Sequence, residues 1–470
     1  MRVPRIPQVR PRPEGRGCRE QQTPAFAGLL SVPQTDAGTT PTLPQTWGRV
    51  ASPRRAGWGR PPLLALLIST LAVGSASAQR TIVVSPSGPV RNVTQAIRRA
   101  VPGARIVVQA GTYREPTIVV DRAVSLEGRG WPTLDGQGAH EIVIVRAANV
   151  SVRGFRFTNT GESQVEDRAA LRVAGASGCV IEGNRFDHTF FGIYLAASEG
   201  CRVAGNDLVG QTRTEEYTGN GIHLWSSRNV VIENNHVRGH RDGIYFEFVH
   251  NTVARGNVSE RNLRYGLHFM FSDDCRYLRN TFRANGAGVA VMYTKRVEMT
   301  GNRFEMNRGA AAYGLLLKEI MDPVLRGNVF AHNTVGLFAD GAGHVVAEGN
   351  RFVDNGWAVK LMASTDGGRF AANDFVGNTF DVATNSSAGD TEFSGNYYDD
   401  YRGWDLDHDG VGDVPHHPVR LFSLLVQQNE PSLILLRSAF VGLLDRAEAL
   451  LPGLTPQTLV DRRPAMHRHP

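Results

Sequence analysis

The chain has 470 residues, and 51 Lys and Arg against 45 Asp and Glu give it a formal net charge of +6. The excess lies in residues 1–78, which hold ten Arg and three acidic side chains, whereas the remainder has 41 basic and 42 acidic side chains. The basic balance is therefore no argument for nucleic-acid binding, and we expect no nucleic-acid partner.

The first 78 residues are not expected to belong to the folded protein. Residues 1–50 are rich in Pro, Arg, Gly and Thr without an apolar period, which is typical of disorder. Arg54 and Arg55 then precede an apolar run at 63–68, and Ala76-Ser77-Ala78 follows it. This order is that of a secretory signal, so we expect 1–78 to be a disordered leader plus a signal peptide cleaved near Ala78. No later segment has the length and apolarity of a membrane span, so membrane contact is expected only through a partner.

A repeat begins further along the chain. An Asn in a Gly-Asn-x-Phe-like context recurs at steps of mostly 22 or 23 residues, at Asn184, Asn206, Asn235, Asn257, Asn280, Asn302, Asn328, Asn350, Asn373 and Asn396. A Gly that precedes an apolar strand keeps the same rhythm, at Gly192, Gly221, Gly243, Gly266, Gly288, Gly314 and Gly336. The Asn and Gly markers stay in phase with each other even where a repeat contains an insertion, and this indicates a solenoid.

The length of the repeat indicates the kind of solenoid. A coil of 22–23 residues suits three short strands joined by turns, and its apolar or alternating segments read as strands. One coil cannot bury its own apolar face, so coils must stack by parallel pairing at a spacing of about 4.8 Å. The fold class is therefore all-β, a right-handed parallel β-helix over residues 79–420.

Two columns are expected inside this cylinder. The Asn column is predicted to be a hydrogen-bonded ladder in which each turn Asn takes the left-handed backbone conformation. The Phe two residues later is predicted to form an aromatic stack, at Phe186, Phe282, Phe304, Phe330, Phe352 and Phe375.

Both ends of the solenoid carry helical patterns. Val93, Ala96, Ile97 and Ala100 keep helical spacing, which predicts a short N-terminal capping helix. Coil rhythm stops after Pro418, and we expect residues 421–470 to be a C-terminal helical tail. One amphipathic face is predicted there, formed by Leu433, Leu436, Phe440, Leu444, Ala447 and Leu451. The sequence leaves open whether this helix caps the solenoid or docks on a partner.

Three Cys follow the leader: Cys179, Cys201 and Cys275. Each lies five residues before a ladder Asn, in a column that elsewhere holds Val, so the position should face the core. Cys179 and Cys201 are one coil apart, near enough for a disulfide in an oxidising compartment. The alternative is that all three are unpaired core thiols.

The outer surface of the apolar strands carries the candidate chemistry. Residues two and four places after the marker Gly should point away from the core. Successive coils then place His, Trp, Tyr, Glu and Met side by side, at His223, Trp225, Tyr245, Glu247, His268, Met270 and Met292. Imidazole and thioether together favour Cu(I).

This pattern predicts a transient copper site. The candidate ligands are His223, His268, Met270 and Met292, with Glu247 neutralising charge or orienting an imidazole. The two His are two coils apart, about 9.6 Å, so they would form two stations and not one site. The alternative is an aromatic and Met ridge that loops or a partner protein cover.

A second candidate site follows the last coil. Asp405, Asp407, Asp409 and Asp413, with Gly at 410, match most of a calcium-binding loop. Position 12 is His416, where an EF-hand has a bidentate Glu, so a structural calcium turn is the better fit. The alternative is a polar turn that closes the last coil.

The carboxylates do not suggest a hydrolase. Asp242, Glu247, Asp273 and Asp274 are available, but they form no persuasive acid and base pair. A secreted polysaccharide lyase or glycoside hydrolase of β-helix fold remains the alternative function.

Three strings carry a more specific resemblance. These are Gly-Asn-Gly-Ile-His-Leu-Trp at 219–225, His-Arg-Asp-Gly-Ile-Tyr-Phe-Glu-Phe at 240–248 and Tyr-Gly-Leu-His-Phe-Met-Phe-Ser at 265–272. With Asn396-Tyr397-Tyr398 and the Asp-rich loop, they resemble the NosD family of nitrous-oxide reductase maturation proteins.

The resemblance implies a periplasmic accessory protein that is not an enzyme. It implies work with an ABC transporter permease and ATPase, a copper chaperone and nitrous-oxide reductase, and it makes Leu436, Phe440 and Leu444 candidate contacts for the membrane partner. It leaves open whether copper or sulfur is handled.

Overall fold

The computed structural model describes residues 81–163, 165–385, 390–436, 438–450 and 459–470. The leader and signal peptide predicted for residues 1–78 lie outside the described residues. The described chain forms three long parallel sheets, which we name A, B and C in the order in which each coil visits them.

The strands have the following bounds. Sheet A contains Thr81–Val84, Ala104–Gln109, Val124–Arg129, Ser151–Arg153, Val180–Glu182, Arg202–Ala204, Val231–Glu233, Val253–Arg255, Arg276–Leu278, Glu298–Thr300, Val324–Arg326, Val346–Glu348, Arg369–Ala371 and Glu392–Ser394. Sheet B contains Thr112–Tyr113, Thr133–Asp135, Arg156–Thr158, Arg185–Thr189, Asp207–Gly210, His236–Arg238, Val258–Glu260, Thr281–Arg283, Arg303–Glu305, Val329–Ala331, Arg351–Val353, Asp374–Val376 and Tyr397–Tyr398. Sheet C contains Ile118–Val120, Val143–Val145, Ala169–Ala174, Phe191–Ala196, Ile222–Trp225, Asp242–Glu247, Tyr265–Met270, Ala287–Lys295, Tyr313–Met321, Val335–Gly343, Trp357–Leu361 and Phe380–Thr384.

Each strand pairs in parallel with the equivalent strand of the next coil. In sheet C, for example, Ile222 lies beside Ile244, which lies beside Leu267. The apolar side chains of all three sheets meet in one continuous core that runs from Val84 to Leu459. The predicted parallel β-solenoid is confirmed.

The predicted Asn ladder runs along the corner between sheets A and B. The side-chain amide of Asn302 donates to Oδ1 of Asn328 at 3.0 Å and receives the equivalent bond from Asn280 at 3.0 Å. Its Nδ2 also donates to the carbonyl of Tyr277 at 2.8 Å. Ladder Asn side chains from Asn184 to Asn396 are at most 2% exposed.

One detail of this prediction was wrong. The left-handed backbone conformation belongs to the residue before each ladder Asn, where φ lies between 52° and 67°. Gly occupies most of these positions because it has no Cβ to clash. The Gly of the Gly-Asn pair makes the turn, and the Asn makes the hydrogen bonds.

A second amide ladder lies at the corner between sheets B and C. Its members each follow a first-ladder residue by five positions and bond in the same way, at Asn262, Asn285, Asn307, Asn333, Asn355 and Asn378. In the coil before Asn262, the equivalent position of this ladder is occupied by His240, whose backbone N donates to Oδ1 of Asn262 at 3.1 Å. Sequence analysis missed this ladder, although the interval of five is visible in the printed sequence.

The predicted aromatic stack is confirmed in the core from Phe282 onward. Phe186 was wrongly included, because Leu208 follows it in the column and it stacks on Phe157 instead. Phe304, Phe330 and Phe352 have ring centroids 4.7 and 4.8 Å apart with nearly parallel planes. The stack continues through Phe375 to Tyr398, at 5.1 and 5.0 Å.

The predicted N-terminal helix is also confirmed. Helix α1 spans Val93–Arg99, and Asn92 caps it by accepting from the backbone N of Gln95 at 2.7 Å. The side chains of Val93, Ala96 and Ile97 are buried, so the helix covers the open apolar end of the first coils.

The opposite end is closed by the last described residues. Asp461 is fully buried and accepts from Nδ2 of Asn396 at 2.9 Å, so its carboxylate terminates the first Asn ladder. It also accepts from the backbone N of Asn396 at 3.0 Å and of Gly395 at 3.2 Å. Residues 459–470, which the sequence placed in a helical tail, therefore form the end plate of the solenoid.

The tail contains two helices and not the single long one that the pattern suggested. Helix α2 spans Leu421–Gln428, a 3-10 turn spans Glu430–Leu435, and helix α3 spans Ala439–Leu450. Phe422 and Val426 of α2 pack on Phe380 at the last strand of sheet C.

The candidate partner contacts are divided by this break. Leu436 and Leu444 pack against the cluster of Phe380, Phe422 and Val426, whereas Phe440 is 46% exposed. The helical periodicity starts anew at α3. The residues that the sequence assigned to one helix face therefore lie on two different faces. Leu436 and Leu444 are therefore partly buried within the tail, and their assignment as partner contacts stays a prediction.

The three Cys occupy the inward column that the sequence predicted. Cys179, Cys201 and Cys275 are buried and free, so the disulfide alternative between Cys179 and Cys201 is not what the structure contains. The thiols act as small apolar side chains in the core.

The ladder generates a stability prediction. Replacing Asn302 by Ala removes the acceptor of the backbone N and of Nδ2 of Asn280, and it removes one donor to Oδ1 of Asn328 and to the carbonyl of Tyr277, all in a buried site. We expect a loss of roughly 3–5 kcal/mol in the free energy of unfolding, since each buried unsatisfied group costs about 1–3 kcal/mol. Urea unfolding of the mature chain measures it, with the exposed neighbour Arg303→Ala as the control. Equal losses in the two variants would contradict the role of the ladder.

Candidate functional site

The outer surface of sheet C is organised in two columns. The first, which we call the His–Tyr column, contains Tyr194, His223, Tyr245 and His268 in direct register on successive coils. The second, the Met column, contains Trp225, Glu247, Met270 and Met292 in the same way. The two columns alternate with the core residues of each strand, as the period of a strand requires.

The His residues are less accessible than the sequence suggested. His223 is 6% exposed and His268 is 7% exposed, so they do not lie open on the outer surface. The reason is that aromatic rings of neighbouring residues cover them. The ring of His223 lies 4.4 Å from Tyr194 and 4.7 Å from Tyr245, and that of His268 lies 5.0 Å from Tyr245.

Tyr245 separates the two imidazoles. Because its ring stands between them, His223 and His268 are too far apart to bind one ion. Burial, with Glu247 as a smaller cause, raises the pKa of Tyr245 to about 12, so the phenol stays protonated and can donate. Its hydroxyl donates to Sδ of Met270 at 3.9 Å, which joins the two columns.

His223 has a free ring nitrogen. Its Nδ1 lies 3.4 Å from Nδ2 of Asn220, whereas its buried Nε2 has no hydrogen-bond partner among the described residues. Burial, together with repulsion from Arg241, lowers its pKa to about 3. The imidazole is therefore neutral at physiological pH.

His268 is placed beside a buried ion pair. Asp242 is fully buried and accepts from Nε of Arg264 at 2.9 Å, and its Oδ2 lies 3.6 Å from Nδ1 of His268. Burial by itself raises the pKa of Asp242, but the interactions with His268 and Arg264 outweigh it and hold the pKa below the usual range. Nε2 of His268 is buried without a hydrogen-bond partner among the described residues.

Tyr265 and Tyr313 complete the surroundings of His268. The ring of Tyr265 lies 4.7 Å from that of His268, and its hydroxyl accepts a bond of 3.5 Å from Tyr313. Burial, followed by this hydrogen bond, raises the pKa of Tyr313. These residues hold the imidazole in one orientation.

Sequence analysis missed Arg264, Tyr265 and Tyr313. Arg264 follows Asp242 by 22 residues, which is one coil, so counting coils from the known carboxylate would have found it. Tyr313 is not found in this way, because its contact with Tyr265 spans two coils and an insertion.

The inserted loop at 211–218 lies beside this region. It contains a 3-10 turn at Glu215–Tyr217 and is fastened by an ion pair of 3.0 Å between Arg213 and Glu162. Phe190 and Tyr217 line a small hollow beneath it. The loop thus borders the outer surface of sheet C on one side.

The Asp-rich loop brings together three of its four candidate ligands. Carboxylate oxygens of Asp405, Asp407 and Asp409 lie within 4.8 Å of one another. Asp413 is directed elsewhere, because its Oδ2 accepts from the backbone N of Leu406 at 2.7 Å. The ring of His416 lies 4.2 Å from that of Tyr398 at a tilt of 39°, and its backbone N donates to the carbonyl of Asp461, so it is part of the end plate. Calcium binding at this loop stays a prediction.

The carboxylates considered for hydrolysis have other partners. Asp274 forms a two-point ion pair with Arg296 at 2.6 and 2.8 Å, and Asp273 accepts from the backbone N of Lys295 at 2.9 Å. Asp242 is paired with Arg264, as described above. These groups tie neighbouring coils together.

Comparison with known proteins identifies the family. A family model described as periplasmic copper-binding protein (NosD) matches residues 208–403, which include the Met column and all of the His–Tyr column except Tyr194. A Pseudomonas aeruginosa protein named probable ABC transporter binding protein NosD is 31% identical over 430 residues, which are 87% of this chain and 96% of the relative. The chain belongs to the NosD family. A Stutzerimonas stutzeri protein of the same name is 26% identical over 76% of this chain and 85% of its own length.

Solved structures agree with NosD membership only at the level of fold. The Dettilon tailspike protein has a TM-score of 0.53 at 14% identity and covers 66% of this chain and 69% of its own. The catalytic unit of an α-1,3-glucanase from Streptomyces thermodiastaticus has a TM-score of 0.50 at 16% identity, covering 67% and 66%. At these identities the likeness shows a shared β-solenoid.

Among the described residues, none of the helices has the length and apolarity needed to cross a membrane.

The buried His240 generates a prediction about pH. Burial lowers its pKa to about 4, so the folded chain stays unprotonated there while the unfolded chain gains a proton near pH 6.5. The contribution of the neutral imidazole to the free energy of unfolding is therefore fully present above pH 6.5, and it is lost as the pH falls towards 4. Lowering the pH from 7 to 5 should therefore reduce the free energy of unfolding by about 2 kcal/mol less in His240→Asn than in the unsubstituted chain.

Urea unfolding at the two pH values measures this difference. The control is His188→Asn, an exposed residue whose φ of 53° suits Asn. The same pH dependence in His240→Asn as in the unsubstituted chain would show that the imidazole is not protonated on unfolding in this range.

Proposed function

We propose that this chain is a periplasmic accessory protein that binds Cu(I) on the outer face of sheet C. It passes the ion on during assembly of the copper centres of nitrous-oxide reductase and is not itself an enzyme. The observation that carries the proposal is the pair of unpartnered, buried imidazole nitrogens beside the Met column, in a chain of a family described as periplasmic and copper-binding.

The first station consists of His268, Met270 and Met292. Met270 and Met292 are neighbours in register, and His268 lies on the same strand and face as Met270. One imidazole and two thioethers form a soft donor set, which selects Cu(I) over harder ions. Glu247 is the register neighbour of Met270 and supplies a negative charge next to the ion.

The second station is His223. Its low pKa keeps the imidazole in the neutral form that binds metal, so protons do not compete for it at physiological pH. Tyr245 lies between the stations and its hydroxyl contacts Met270, so rotation of this side chain would open the way from one to the other. Copper is the cargo of this surface.

Partner contact is assigned to the two tail helices. The relatives are named ABC transporter binding proteins, and a transporter permease and ATPase, a copper chaperone and nitrous-oxide reductase are the proposed partners. Ile434, Phe440 and Leu443 are 88%, 46% and 65% exposed, an apolar group that water does not favour. These join Leu436 and Leu444 as the proposed contacts.

Removing two of the three soft ligands of the first station tests the copper proposal. In His268→Ala with Met270→Ala, the affinity for Cu(I) should fall about 100-fold or more, since loss of a single supporting group already costs 10–100-fold. Competition with a chromophoric Cu(I) chelator measures it on the mature chain. His268→Gln, which keeps a polar side chain in the buried site, is a second variant in case the double variant is unstable.

The chain offers a matched control for this test. Met306 and His332 lie one coil apart at another corner, and Met306→Ala with His332→Ala removes the same residue types. This control should bind Cu(I) as the unsubstituted chain does. An unchanged affinity in the His268 and Met270 variant would remove the first station.

The partner contact has its own test. Phe440→Ser with Leu443→Ser should weaken binding to the detergent-solubilised permease and ATPase complex about tenfold or more, because exposed apolar anchors dominate such interfaces. Val101→Ser, which is exposed at the opposite end, is the control. Deletion of residues 430–470 is unsuitable, since it also removes Asp461 from the ladder. Unchanged binding in the double variant would place the transporter elsewhere.

A further inference from the structure

An exposed row of aromatic rings borders the proposed copper site. Phe248, Phe271 and Tyr293 are 45%, 41% and 44% exposed. Their ring centroids are 5.2 and 5.3 Å apart, with interplanar angles of 11° and 14°. We call these three residues the aromatic row.

The backbone at this row is strained. The three residues have φ of 55°, 50° and 55°, in the left-handed region that bulky side chains avoid. The same corner holds small residues in earlier coils, Ala197 and Ser226, with the same sign of φ. The corner needs the left-handed conformation but not aromatic rings, since Ala197 and Ser226 also adopt it, so three exposed rings on adjacent coils exceed what the turn requires. Such a combination indicates function.

The aromatic row is continuous with the Met column. Phe271 directly follows Met270 and Tyr293 directly follows Met292 in the chain. With Trp225, which is 42% exposed, the aromatic row and the Met column form one surface about 14 Å long across four coils, apolar except for Glu247. The rings therefore lie on the surface directly beside the thioethers.

The arrangement of the rings selects the partner. Because the rings stack on one another, both faces of the central Phe271 and the inner faces of Phe248 and Tyr293 are covered, so the row offers mainly ring edges along its length. A sugar needs a free face on which to stack, whereas ring edges carry partial positive charge and favour a thioether sulfur. Two Arg that border the row are paired with carboxylates, Arg228 with Glu199 and Arg296 with Asp274, so these guanidinium groups are not free for an anionic polymer.

The row ends at a hollow. In the coils before Phe248, the corner position is occupied by the small residues Ser226 and Ala197. Their size leaves a cavity of about 290 Å³, which Arg228 and His250 border. One long side chain of a partner fits there against the outer face of Phe248.

From these contacts we propose that the aromatic row is the docking surface for the protein that exchanges Cu(I) with the Met column, through a Met-bearing apolar patch on that protein. The inference rests on the proposed function and adds where the copper carrier binds and what chemistry recognises it. Docking there brings the carrier's copper ligands next to Met270 and Met292.

The test replaces the row without disturbing the backbone. In Phe248→Asn with Phe271→Asn and Tyr293→Asn, the new residue is one that tolerates the left-handed conformation. The probe is the Cu(I)-loaded periplasmic copper chaperone of the same bacterium, mixed with the mature chain. We expect the Kd of the complex to rise about 100-fold, since aromatic anchors dominate such interfaces, while the affinity for Cu(I) is retained.

The matched control is Ala284→Asn with Met306→Asn and His332→Asn, at another corner where φ is 52°, 54° and 57°. It should bind the chaperone as the unsubstituted chain does. Phe271→Asn alone, with an intact unfolding transition, serves if the triple variant is unstable, and it should raise the Kd about tenfold.

The outcomes separate the two proposals. Equal Kd values for the row variant and the control overturn the docking inference and leave the copper site standing. Failure of the unsubstituted chain to bind Cu(I) overturns the proposed function and this inference with it. Retention of the unsubstituted chain, but not the row variant, on a neutral glucan gel overturns the protein partner in favour of a glycan.

Discussion

The amide side chains of two Asn ladders hold each coil in register with the next. In both ladders an Asn donates to the equivalent Asn one coil further on and to a backbone carbonyl, inside a wall from which water is excluded. Leaving a buried amide unpaired is costly, so a slip of one residue in any coil would disrupt many bonds at once. The columns on the outer surface exist because this register is kept.

The same constraint explains the ends of the protein. A ladder must terminate on a group that accepts its last amide, and Asp461 supplies a buried carboxylate for Asn396. The chain therefore returns to the solenoid after its two helices. The Asp-rich loop is fastened to the same end plate, because the backbone N of Gly412 donates to the carbonyl of Pro464 at 2.8 Å.

On the outer face of sheet C, the fixed spacing of the coils decides how the candidate ligands can act. Neighbouring side chains in a column are near enough for ring stacking, so Tyr245 separates His223 from His268 and shields both. Burial then keeps His223 neutral, while the Met column remains closer to solvent. The arrangement places accessible thioethers in front of shielded imidazoles, which suits an ion that enters from a partner and is held away from water.

The sequence by itself determined the solenoid, the first Asn ladder, the Phe stack and the alignment of His223, Tyr245 and His268. These follow from a repeat, and once the coil length is known, counting places residues in columns. Only the tertiary structure decided the burial of the two His, the ion pair of Asp242 with Arg264, and the return of Asp461 to the last coil. It also showed that Leu436 and Leu444 pack inward while Phe440 does not. The physical reason is that these features depend on side chains covering one another and on where the chain turns after the repeat ends, and neither is periodic.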